Sequence, residues 1–187
     1  MPEMFKKIPG WFDFDDVYRM FVSNIDSGII VEVGCWLGRS TLFLAESILE
    51  SKKNISLYAV DTWKGSDEEA HKSYIAEIGG VDKLYEQFLK NTSLIPPGII
   101  CPIRKPSIDA SFLFDNRSIS AVFIDADHRY EYIRRDILAW LPKIKPGGFI
   151  GGHDYVNGWN GVVEAVDEIF GSKKEVHRNS WLVKIKE

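Results

Sequence analysis

The stretch from Gly28 to Leu44, GIIVEVGCWLGRSTLFL, constrains the fold of this chain more than any other. Ile29, Ile30, Val31 and Val33 form a β-branched run that carries one acid, Glu32, and breaks into a loop bounded by Gly34 and Gly38. Ser40 and Thr41 follow, and an apolar helical pattern begins at Leu42. That order predicts a buried strand, a tight turn and a helix N-terminus. In an open α/β sheet such a junction is where nucleotide-like ligands bind. Glycine lets the backbone approach a ligand closely, and the first helical turn has N–H groups without intrahelical partners. The spacing Gly34-x-x-x-Gly38 is not the G-x-G-x-x-G of dinucleotide enzymes. Glu32 suits a ligand carrying a cationic or hydroxylated group.

Apolar strand-like segments alternate with helical patterns along most of the chain. Strands are expected at Ile29–Val33, Ser56–Val60, Ile99–Ile103, Ala121–Ile124 and Phe149–Gly152, and helices at Phe14–Asn24, Ser40–Ser51, Val81–Thr92, Tyr130–Leu141 and Gly161–Phe170. Such alternation predicts parallel strands joined by right-handed helical crossovers. Strands without a polar face suit a sheet covered on both sides. Pro146-Gly147-Gly148 reads as the stop of the helix before the fifth strand. Lys174–His177 and Trp181–Lys186, joined by a short connection, read as an antiparallel hairpin. The expected fold is therefore α/β: a Rossmann-like, doubly wound, seven-stranded sheet, mostly parallel, with an antiparallel C-terminal hairpin. Residues 1–187 read as a single domain, with 1–27 as an N-terminal helical cap. The charged segment Lys64–Lys72 looks like an insertion, and insertions beside a crevice often act as lids.

Composition narrows the function. At 187 residues and 45% hydrophobic, the chain suffices for one well-buried domain and is short for two. A net charge of −4 argues against a nucleic-acid partner. The pairs Arg104-Lys105, Arg134-Arg135 and Lys173-Lys174 read as solvated edges. Cys35 and Cys101 are too few for a disulfide framework and have no metal-ligand spacing. No signal-peptide core and no run of membrane-spanning length is evident. The expectation is a soluble cytoplasmic protein that uses neither a membrane nor nucleic acid. A homodimer is compatible with its exposed aromatics.

Four segments, VEVGCWLGRST, AVDTWKGSD, FIDADHRYEYIRRDI and PGGFIGGHDY, stand in an order and approximate spacing that resemble the class I S-adenosylmethionine-dependent methyltransferases. The similarity runs from Trp11 to Trp181 and is closest to the compact branch related to small-molecule and sugar O-methyltransferases. It implies S-adenosylmethionine as cofactor, a small-molecule acceptor, and methyl transfer to a hydroxyl, as of a sugar or glycoside. It assigns Glu32 to the methionine amino group, a charge-assisted contact. Gly34 and Gly38 would let the loop wrap the methionyl end, with Ser40 near the carboxylate. Asp61 would take both ribose hydroxyls, as an acceptor-only carboxylate can. Trp63 and Ser107 would stand on the adenine side, and Thr62 and Asp125 would complete the cofactor set. Without a ligand, Asp61 is a turn former, Trp63 is core packing, and Ser40 and Ser107 are helix N-caps.

The chemistry is expected after the fourth and fifth strands, where Asp125, Asp127 and His128 leave one and His153, Asp154 and Tyr155 leave the other. Methyl transfer is an in-line displacement in which the acceptor oxygen must be aligned and made nucleophilic. His153 is the expected base because an ordinary imidazole titrates near neutrality. Asp154, Asp125 and His128 complete the candidate catalytic set. Related enzymes instead use a divalent metal, magnesium or manganese, on carboxylates matching Asp125 and Asp154. Here His153 replaces the first oxygen ligand of the second pair, which disfavours magnesium and leaves manganese open. Trp11, Phe12, Phe14 and Trp159 could stack on an acceptor at the cleft mouth or simply pack the core. Two other readings remain at this point: a non-catalytic S-adenosylmethionine binder and a nicotinamide-dependent oxidoreductase.

Overall fold

A computed structural model of the chain describes residues 3–67 and 69–186. A short 3-10 turn, Met4–Lys7, precedes helix α1 (Asp15–Asn24). Then come β1 (Ser27–Val33), α2 (Arg39–Ser51), β2 (Asn54–Asp61), α3 (Glu69–Glu77), α4 (Asp82–Thr92), β3 (Ile100–Arg104) and α5 (Ser107–Ser111). The second half is β4 (Ile119–Ile124), α6 (Tyr130–Trp140), β5 (Ile144–Gly152), α7 (Asn160–Phe170), β6 (Glu175–His177) and β7 (Ser180–Lys184). The strands form one sheet in the order β3-β2-β1-β4-β5-β7-β6. Its first five members run parallel, and β7 pairs antiparallel with both β5 and β6.

Side-chain alternation divides the core into two layers. Ile30, Leu57, Ala59, Ala121, Phe123 and Phe149 pack with α1, α2 and α4 on one face. Val31, Val33, Val60, Val122, Ile124 and Ile150 pack with α6 and α7 on the other. Glu32, two residues from Ile30, therefore points into the first layer, under α1 and α2.

Three element boundaries depart from the sequence reading. Helix α6 ends at Trp140, where the 3-10 turn Leu141–Lys143 follows, because Pro142 cannot donate a helical hydrogen bond. Pro146-Gly147-Gly148 is consequently not the helix stop but part of β5, which starts at Ile144. It pairs with the end of the chain through Gly147 N–H to Ile185 O (3.0 Å) and Ile185 N–H to Gly148 O (2.8 Å). The insertion after β2 contains a helix, α3, that periodicity did not announce. Among the described residues no helix is long and apolar enough to cross a membrane.

Candidate functional site

In the sheet order β1 and β4 are neighbours, with β2 and β3 on one side and β5 on the other, so the crossovers diverge between them. Loops leaving the C-terminal ends of β1, β2, β4 and β5 face the crevice this creates. Gly34 adopts φ +88° and Gly38 φ +87°, left-handed conformations that favour glycine. A side chain at Gly34 would sit 2.0 Å from the carbonyl oxygen of Asp125, so the β1 loop and the β4 end touch backbone to backbone. Gly38 occupies the N-cap of α2, which places Ser40 inside the first turn rather than at the cap.

The two acids expected to hold the cofactor, Glu32 and Asp61, are both engaged by the protein. Glu32 is fully buried. It accepts hydrogen bonds from the Tyr18 hydroxyl (2.7 Å) and from the Thr41 hydroxyl. Burial raises its pKa, and the hydroxyls of Ser40, Thr41 and Tyr18 oppose that rise. Asp61 binds the loop: its Oδ2 accepts from the backbone N–H of Cys35 (2.8 Å) and Trp36 (3.0 Å), and its Oδ1 from that of Trp63 (2.7 Å). Trp63 does not face the crevice; it is fully buried. Its ring packs on Tyr85 and Phe88, each at 4.6 Å, while its Nε1 donates to Trp36 O. Thr62 caps the next turn by accepting from Lys64 N–H (3.2 Å). Ser107 is the first residue of α5, and its hydroxyl oxygen accepts from Trp140 Nε1 (2.9 Å), turning it toward α6.

The ends of β4 and β5 bring four ionisable groups together. His128 Nε2 lies 2.8 Å from Asp154 Oδ2. His153 Nδ1 lies 3.3 Å from Asp154 Oδ1 and 3.8 Å from Asp125 Oδ1. The four side chains are largely buried. Burial pushes the Asp125 carboxyl up to about 7, against the attraction of the His153 cation. Burial works against a charged His153, but the carboxylates of Asp154, Asp125 and Asp13 outweigh it and push the imidazole up to about 9. Asp154 is also opposed by burial, yet His128 and His153 hold it well below the usual carboxylate range. Its backbone sits at φ +58°, a conformation a non-glycine residue keeps only when its surroundings impose it. Asp127 turns aside and binds the Arg129 guanidinium at 2.6 Å.

A fifth group was not singled out from the sequence. Asp13, just before α1, places Oδ1 2.7 Å from His153 Nε2. Its Oδ2 accepts from Asn179 Nδ2 (3.1 Å), and its carbonyl accepts from Arg178 Nη1 (2.7 Å). In sequence Asp13 looks like one of several acids at a helix start, and nothing local connects it with a residue 140 positions away. Of the aromatics, Phe14 is core, stacked on Phe123 at 4.6 Å, and Phe12 packs on Phe43 at 4.9 Å. Trp11 is exposed, and Trp159 lies 4.1 Å from the His128 ring.

Residues 31–155 match the family model Methyltransf_24, described as a methyltransferase domain. The chain belongs to this methyltransferase family. Its fold is shared with solved methyltransferases. The O-methyltransferase NovP superposes with a TM-score of 0.63 at 17% identity, over 93% of this chain and 80% of that one. A caffeoyl-CoA O-methyltransferase-like protein of Staphylococcus aureus gives 0.64 at 13% identity, over 97% and 87%. The curated protein y4gI of Sinorhizobium fredii is 23% identical over 155 residues, 82% of this chain. The match spans 16% of y4gI.

Proposed function

We propose that this methyltransferase moves the methyl group of S-adenosylmethionine to a hydroxyl of a small molecule, a sugar or glycoside being the class favoured. The observation that carries the reading is the convergence of Asp125, His128, His153 and Asp154 beside the glycine-edged β1 loop. S-adenosylmethionine, when bound, supplies an electrophilic methyl on a sulfonium. The acceptor oxygen forms the new C–O bond as the S–C bond breaks, and its proton must leave. Asp125, its carboxyl raised to about 7, is placed to take that proton. His153, with carboxylates on both ring nitrogens and its own proton held up to about 9, stands beside it as a cation rather than as the base the sequence suggested. Three carboxylates near the transfer point favour a neutral acceptor over an anionic one. The nicotinamide alternative has no support, since the dinucleotide turn is missing and the matched family is one of methyltransferases. In calorimetric titration S-adenosylmethionine is expected to bind stoichiometrically, and Asp61→Ala to weaken it by loosening the loop that Asp61 holds. Absence of binding by the unaltered chain would refute the proposal.

A cation fits one set of these residues. Asp125, His128 and Asp154 each offer a ligand atom, all within 4.8 Å of one another. His128 joins the two carboxylates expected from the sequence, while His153 turns its Nε2 to Asp13. Two carboxylates and an imidazole suit manganese better than magnesium. Such an ion would lower the pKa of the acceptor hydroxyl. Titration with manganese is expected to give binding that His128→Ala weakens, with magnesium binding more weakly. Equal affinity for both ions would remove His128 from the ligand set.

A further inference from the structure

Outside the acid and histidine cluster, aromatic rings gather at one concavity of about 300 Å³, between the N-terminal segment, the β1 loop and α3. Its walls include Gly10, Trp11, Trp36, His71 and Tyr74. Trp36 and His71 stack face to face at 3.8 Å with 18° between planes, making a two-layer aromatic wall. Trp11 stands across the edge of that wall, 5.6 Å from His71 and tilted by 56°. Tyr74 closes another side, 5.8 Å from Trp36. Trp11 is 65% exposed, so ordinary core packing does not account for its position.

Two connections tie this slot to the reaction. The Trp36 backbone is fixed by the Asp61 carboxylate and by Trp63 Nε1, and it sits at φ +47°, which aims its ring out of the cofactor loop. Trp11 is two residues from Asp13, whose carboxylate touches His153. Two extended residues span at most about 7 Å, so Trp11 and Asp13 are no further apart than the width of a small ring system. The Gly10 carbonyl is itself pinned by Arg39 Nη1 at 2.5 Å, at the first turn of α2. The slot and the Asp13–His153 contact are therefore carried by one short N-terminal segment.

We propose that this aromatic slot is the acceptor's ring subsite, taking an uncharged, flat-faced ring that carries hydroxyls on its rim. The inference rests on the methyl-transfer reading and adds to it the substrate class. Among the described residues the lining holds rings, small apolar groups and one histidine, with no carboxylate, lysine or arginine. An apolar face against stacked rings is how such walls hold sugars and aryl groups alike. The Ser66 hydroxyl, 2.6 Å from His71 Nδ1, supplies a polar edge.

The test uses the full chain with labelled tryptophan side chains, saturated with S-adenosylhomocysteine, and follows the indole signals by NMR. Methyl β-D-glucopyranoside and catechol serve as the two probes, and they distinguish a sugar from an aryl alcohol. At least one probe is expected to shift Trp11 and Trp36 together while Trp140 and Trp181, in the core, stay still. Trp11→Ala should weaken that probe roughly three- to tenfold, the worth of one lost ring contact, and leave S-adenosylhomocysteine affinity unchanged. His71→Ala provides a second variant with the same expectation. Failure of both probes to move Trp11 and Trp36, or probe binding indifferent to both variants, would overturn the subsite. Probe binding in the slot without any S-adenosylhomocysteine binding would instead overturn the methyl-transfer reading and leave the slot standing.

Discussion

Asp136 lies on the buried side of α6, against the Ser107 hydroxyl, and burial pushes its carboxyl up to about 6. Its proton is therefore held more tightly in the folded chain than in the unfolded one. Between about pH 4 and pH 6 the folded state binds more protons, so stability falls as pH rises through that window. The penalty is fully developed above the folded value and absent below the unfolded one. About two pKa units correspond to roughly 2–3 kcal/mol before relaxation. Asp136→Asn should consequently be the more stable protein by on the order of 1–2 kcal/mol at neutral pH. Urea melts are expected to converge near pH 4, and a gap that stays constant with pH would disprove the assignment. The same residue-scale physics explains what sequence could and could not reveal. Glu32 was recognisable as an unusual acid in an apolar strand, but its partners Tyr18 and Thr41 belong to two different helices. The carboxylate of Asp61 and the ring of Trp63 were equally visible. Their directions depended on loop amides and on Tyr85 and Phe88, which no spacing rule connects to them.

Strands announced themselves because β-branched runs in a two-sided sheet tolerate little else, and each expected strand falls within an observed one or overlaps it. Helix α3 did not. None of its residues is buried, so it has no apolar stripe for periodicity to detect. Its hold on the molecule includes the Trp36–His71 stack, the approach of Tyr74 to Trp36, and the half-buried Tyr74 and Ile75 on the first core layer. Two glycines, Gly79 and Gly80, both at positive φ, separate it from α4. A helix anchored this lightly opens at low free-energy cost. By contrast α2 buries eight of its residues, from Ser40 to Ile48. Hydrogen–deuterium exchange should find the α3 amides exchanging far ahead of those of α2, and slowed when S-adenosylhomocysteine is present if the segment acts as a lid. Exchange of α3 in step with α2 would show that the insertion is a rigid part of the scaffold. Misplacement of the stop before β5 has a similar origin. Pro146-Gly147-Gly148 has breaker composition, but its free carbonyls and amides are taken up by Ile185, a partner supplied from the far end of the chain.

At the scale of the whole molecule, function depends on β1 and β4 lying side by side although 85 residues separate Val33 from Ile119, the first residue of β4. The two strands carry the β1 loop and Asp125 to one place, and Gly34 is where they meet. Its N–H bonds Val60 O at 2.9 Å, while Asp125 N–H bonds Val33 O at 2.7 Å. Alanine at position 34 meets two obstacles. The left-handed backbone costs roughly 1–2 kcal/mol for any side chain. The new methyl would also lie 2.0 Å from Asp125 O and 2.9 Å from the Ala126 Cα, so backbone must move. Gly79 separates these effects, since it has φ +90° and nothing within 4 Å of a built Cβ. Gly79→Ala should lose only the conformational share, about 1–2 kcal/mol in urea unfolding. Gly34→Ala should lose on the order of 3–5 kcal/mol, because the clash adds to the same backbone cost. It should also lose S-adenosylhomocysteine affinity, because separating the two strands displaces Asp125 from the loop that Asp61 binds. Equal destabilisation by the two substitutions would mean that the β1 loop and the β4 end yield independently, and that the crevice is not organised around their contact.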